Sequence, residues 1–115
     1  MKETKEFQSF QREFKRYQQL LGLTGYKVYF KHEPIEDCFA DIICDQVARA
    51  ATVRLNSLLP DKDKPHRDSK GSAKHEALHL LLNNLLSCAM SRYIREGEIR
   101  EACEELVFKL EELIP

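Results

Sequence analysis

Positions 75–79 read His75-Glu76-Ala77-Leu78-His79, and this run carries the strongest chemical signal in the chain. Two histidines four apart on a helix stand one turn above each other, so both imidazoles can face one metal ion. Glu76, one step round from His75, can reach a water on that metal without being a ligand itself. Imidazole donors with an open coordination position point to zinc. With four histidines and thirteen glutamates in 115 residues, such a spacing arises by chance about 0.015 times if positions are independent. The alternative is two ordinary hydrogen-bonded histidines with a glutamate in solvent. Against it, the segment is otherwise apolar (Leu78, Leu80, Leu81, Leu82, Leu85, Leu86), and imidazoles buried there need polar partners.

A catalytic zinc takes three protein ligands. Leu82 and Leu85 stand where the glycine and third histidine of the tight metzincin spacing would be, so that pattern is absent. What remains is an acid on a following helix folded back antiparallel. Glu98, Glu101, Glu104, Glu105, Glu111 and Glu112 are the candidates, and residues 91–115 hold seven glutamates against four basic residues.

The elements that must position these groups are legible in the periodicity. Phe7, Phe10, Phe14, Tyr17 and Leu21 recur at three- and four-residue steps, one apolar stripe of an amphipathic helix that ends at Gly22 and Gly25. The stripe is expected to pack on a sheet, with Gln8, Gln11, Gln18 and Gln19 towards solvent. Three short strands are predicted at Tyr26–Lys31, Cys38–Cys44 and Ala51–Asn56, the last with Thr52, Arg54 and Asn56 on a wet face. Residues 60–71, polar with two prolines, read as an exposed loop containing His66. The apolar helix runs from Ser69 or Ser72 to about Met90, and a last helix from about Glu96 to Leu113, with Ile99, Leu106, Val107, Leu110 and Ile114 as its apolar positions. Helices segregated from a small sheet make an α+β fold, a single domain over residues 1–115.

Composition limits the partners. Eighteen basic against nineteen acidic residues give a net charge of −1, without the basic footprint of a nucleic-acid binder. The longest apolar run, Ala77 to Leu82, is too short to span a bilayer, and the start shows no apolar export segment. Cys38, Cys44, Cys88 and Cys103 form no close pair and are expected as reduced core thiols, in keeping with a cytoplasmic protein.

On these residues the chain resembles the gluzincin class of zinc metallopeptidases, and in particular its small stand-alone members, the minigluzincins and similar phage or bacterial zincin-like proteins. The likeness takes in Leu21-Gly22-Leu23-Thr24-Gly25-Tyr26 entering the first strand, the alternating Ala51–Asn56 strand, the His75–His79 motif and the glutamate-rich last helix. It implies a minimal zincin-like fold with a mainly antiparallel three-stranded sheet, in which Ala51–Asn56 is the edge strand that an extended peptide would join. Glu101-Ala102-Cys103-Glu104-Glu105-Leu106-Val107 is similar to the segment that carries the third ligand of the class. By that resemblance Glu101 binds zinc, with Glu104 the alternative, and Glu105 orients a ligand histidine, although the class has a shorter aspartate at that place. Tyr93 and Arg100 are weak candidates for holding an oxyanion.

The activity so implied is hydrolysis of a peptide or protein substrate. Zinc polarises the carbonyl and lowers the pKa of its water towards ~7, and Glu76 takes the proton and passes it to the leaving amine. The alternative is a zinc-bearing interaction or regulatory module without turnover.

Overall fold

Local rules set where the helices begin and end. A computed structural model of the chain describes residues 3–36, 38–58 and 68–113. The Thr4 side chain accepts a hydrogen bond from the Phe7 amide and starts helix α1 (Lys5–Leu20). The helix closes with a pair of reversed bonds, Leu23 N to Gln18 O and Gly22 N to Gln19 O. That closure needs a left-handed residue after the cap, and Gly22 supplies it at φ 69°. Gln18, expected in solvent, instead donates to the Leu23 and Tyr26 carbonyls and fixes the entry to the sheet.

Strands β1 (Lys27–Glu33), β2 (Ala40–Asp45) and β3 (Ala50–Asn56) follow. The sheet order is β1-β3-β2, with β1 parallel and β2 antiparallel to β3. The sheet is therefore mixed, where the resemblance had implied a mainly antiparallel one. Ala51–Asn56 is its central strand, not an edge. The cause lies in the connection from β1 to β2, which steps across the end of β3 rather than turning back beside β1. Asn56 holds that crossing: its side chain accepts from the Ile35 and Leu58 amides and donates to the Ile35 and Cys38 carbonyls. A residue read as facing water is thus buried and fully engaged.

Helix α2 (Ser69–Met90) starts where Asp68 accepts from the Gly71 amide. Gly71 is required there, because a Cβ at that position would overlap the Asp68 carboxylate. Helix α3 (Glu96–Leu113) completes the α+β fold. The expected loop lies outside the described residues over 59–67, His66 included, and so does Ile114.

The core forms between α1, α2 and one sheet face. Phe10 and Phe14 are fully buried and meet the Phe30 ring edge-on, while Phe7 stacks on His32. Val53, Leu55, Ala73, Ala77 and Leu80 close the layer. α3 is attached more lightly. Ala102 is buried and Leu106 and Leu113 are partly so, but Val107, Leu110 and Cys103, expected in the core, are exposed. Cys38, Cys44 and Cys88 are half-buried free thiols.

Candidate metal centre

At 100° per residue, α2 presents two unlike sides. Leu78, His79, Leu82 and Leu86 all fall within about 60° of His75, and all five side chains are exposed. Glu76 falls with Ala73, Leu80 and Asn83 on the side that faces the core, and it is 4% exposed. The helix start at Asp68 and the packing of Ala73 and Ala77 fix this rotation.

The two imidazoles converge. His75 Nε2 and His79 Nε2 are 3.1 Å apart, and among the described residues neither ring has another hydrogen-bond partner. Two nitrogens bound tetrahedrally to one zinc at ~2.0–2.1 Å stand ~3.3 Å apart. The observed separation matches that edge. It also matches an N–H···N bond between neutral rings of opposite tautomer. Donor atoms of His75, Glu76 and His79 all lie within 4.8 Å of one another, and this is the group among the described residues able to hold a metal.

Glu76 is the second observation. Its Oε2 is buried and accepts no hydrogen bond, a costly state for a carboxylate. Burial, with the Asp41 charge adding to it, pushes its pKa up to about 7. Burial also raises the Cys44 thiol, and the neighbouring Glu76 charge adds to that. Glu76 therefore exchanges its proton near neutral pH, as a general base or acid must. The donor set fits zinc: two imidazoles on the exposed side and one unpartnered carboxyl behind them.

The acids of α3 do not join this group. Glu101 and Glu104 are exposed and outside it. Five residues connect α2 to α3, so the helices fold back as a hairpin, and Asn84 Nδ2 donates to Glu105 Oε2 at 3.1 Å. That contact sets the axial level. Glu101, one turn earlier on α3, stands opposite Cys88, about 13 Å along α2 from His79. Glu105 is engaged by Asn84 and makes no hydrogen bond to either histidine. Tyr93 is exposed in the α2–α3 connection, beyond about 16 Å of helix from His79. Arg100 pairs with Glu96 one turn away. Neither reaches the histidines.

A polar relay absent from the sequence reading lies two turns further along the same side of α2. Tyr26 OH and Asn83 Nδ2 both donate to Gln46 Oε1 at 2.6 Å, and Gln46 Nε2 donates to Asn84 Oδ1 at 3.2 Å. Asn83 carried a signal: it stands seven residues after Glu76, on the same side of a leucine-rich helix. Gln46, in the β2–β3 turn, carried none. The edge strand beneath the motif helix is β2, whose Cys44 borders Glu76. No protein-family model, no curated protein and no solved structure matches this chain.

Proposed function

We propose that the chain is a zinc-dependent hydrolase acting on peptide bonds. His75 and His79 are its metal-holding imidazoles and Glu76 is its general base. The observation that carries this reading is the buried, unpartnered Glu76 carboxyl, with its pKa at about 7, within 4.8 Å of two converging imidazoles. Zinc bound there supplies Lewis-acid polarisation of a carbonyl and of water. Glu76 Oε2 would accept a proton from the attacking water and return it to the departing amine. The free side of β2 is the sheet edge available for an extended chain to add its backbone hydrogen bonds. Leu78, Leu82 and Leu86 supply an apolar wall beside the histidines for substrate side chains.

The test pairs zinc titration with hydrolysis of an unstructured protein such as casein. Glu76→Gln is expected to keep zinc affinity within about threefold and to lose hydrolysis by about 100-fold or more. Hydrolysis by Glu76→Gln at the wild-type rate removes Glu76 from the mechanism.

A second reading has its own support. Among the described residues no side chain beyond His75, Glu76 and His79 joins the group, so with Glu76 as the base the imidazoles stand alone, and exposed leucines flank them. A zinc-bearing interaction module, completed by a donor from a bound protein, uses those same features. It predicts zinc-dependent association without turnover.

A further inference from the structure

The helices and the core occupy one side of the sheet, and the other side is uncovered among the described residues. Three cross-strand rows define that side. Lys27, Ala50 and Asp45 share one, Tyr29, Thr52 and Ile43 the next, and Lys31, Arg54 and Asp41 the third. Tyr29 and Ile43 are 53% and 61% exposed, so an apolar row crosses the middle of an open surface. At these three levels β1 contributes Lys27 and Lys31, and β2 contributes Asp45 and Asp41; Glu33 follows on β1 at the next level. Arg54, between them, is paired within its own chain to Asp41 and Glu33.

We propose that this face is the interface of a homodimer whose twofold axis runs parallel to the strands. Such an axis exchanges left and right but preserves the level along the strand. It therefore sets β1 of one copy over β2 of the other, with Lys27 facing the second copy's Asp45 and Lys31 at the level of its Asp41, which Arg54 already pairs. Tyr29 covers Ile43, and the same contacts occur twice, as an isologous interface requires. A twofold axis across the strands would instead stack lysine column on lysine column. The surface is its own electrostatic complement in one arrangement, and this selects a second copy as occupant. Near-aligned strand directions are also a preferred way for two sheets to pack. The Arg54 guanidinium groups meet near the axis already neutralised by their own carboxylates.

Three strands at ~4.8 Å and six to seven residues at ~3.3 Å give a footprint of about 300 Å². That is well below the ~800 Å² per partner of a standard interface, so the dimer is weak and transient and dissociates in the micromolar-to-millimolar range. Its charge pairs lie at the rim, so salt weakens it.

The experiment is sedimentation equilibrium of the full chain up to about 1 mM, with a chelator present so that the metal centre does not enter. Self-association is expected at about 0.02 M salt and is reduced at about 0.5 M. Lys27→Asp and Asp45→Lys each weaken it by about tenfold or more, and an equimolar mixture of the two regains wild-type strength because both facing pairs are again opposite in sign. Ile43→Ser, which alters no charge at a mostly exposed position, also weakens the wild-type dimer. Circular dichroism checks the fold of each variant, since Asp45 also accepts from the Ala48 amide in the turn. A chain that stays monomeric at low salt, whether bare or reserved for another macromolecule, overturns the proposal. So does a mixture that associates no better than its components, or an Ile43→Ser dimer of undiminished strength.

Discussion

Glu76→Gln tests the burial of the candidate general base without any knowledge of the substrate. In the folded chain the Glu76 carboxyl titrates at about 7, against about 4.3–4.5 for an unfolded glutamate. Below the lower value the group is neutral in both states and pH costs nothing. Between the two values the unfolded chain gives up its proton while the folded chain keeps it, so stability falls as pH rises. Above 7 both states are charged and the full penalty stands. At 1.36 kcal/mol per unit that penalty is about 3 kcal/mol, of which about 2–3 kcal/mol develops between pH 5 and pH 8. Glutamine is neutral throughout. It inherits the same unpartnered position at a pH-independent cost, so the informative quantity is the change in the wild-type–variant difference between the two pH values. Urea unfolding in the presence of a chelator is the assay, because a metal bound only by the folded state would offset the penalty. The variant is expected to gain about 2–3 kcal/mol on wild type in going from pH 5 to pH 8. Two profiles that run parallel would refute the buried, uncompensated carboxylate and with it the argument for Glu76 as a near-neutral base.

Three other outcomes follow from the same structure. His75→Ala or His79→Ala is expected to weaken zinc binding by about 100-fold or more, whereas Glu101→Ala and Glu104→Ala leave it within about threefold, read by calorimetric titration; loss on Glu101→Ala would mean that α3 sits differently against α2. Phe14→Ala empties the space under the Phe30 ring and should cost about 3–5 kcal/mol in urea unfolding. Gly22→Ala forces a left-handed φ on a residue with a Cβ and brings that Cβ to 2.9 Å from the Lys109 ammonium; the flexible lysine can withdraw, so a loss of about 1 kcal/mol in thermal or urea unfolding is expected.

What the sequence disclosed was whatever is decided within a few residues. The three helices and three strands follow from periodicity and caps, and the motif follows from the four-residue spacing of His75 and His79. What it concealed depends on distant contacts. Strand order turns on whether residues 34–39 double back or cross β3, and the side chain that settles this, Asn56, reads locally as one more polar position in an alternating strand. The packed side of α3 was misjudged because Cys103, Val107 and Leu110 form as good an apolar stripe as Ala102, Leu106 and Leu113, and only docking on α2 selects between them. The third ligand failed to appear for a related reason. α2 continues about three turns past His79 before the chain reverses, which carries Glu101 away from the histidines.

Glu76 and Asn83 differ in how far stability accounts for them. Both interrupt the buried side of the same leucine-rich helix, two turns apart, and both are nearly inaccessible. Asn83 is satisfied: its amide donates to Gln46, which is itself held by Tyr26 and Asn84, so the relay ties α2 to the β2–β3 turn and, through Glu105, to α3. That bond gives the buried amide a partner and Gln46 Oε1 a second donor beside Tyr26, which explains the presence of Asn83 by stability alone. Glu76 has an oxygen with no partner and faces Cys44, whose thiol its charge perturbs. An apolar residue there would be more stable at neutral pH by the penalty worked above. Stability therefore explains the asparagine and argues against the glutamate, and a group held against the preference of its own fold, beside two converging imidazoles, is what supports the proposed role of Glu76.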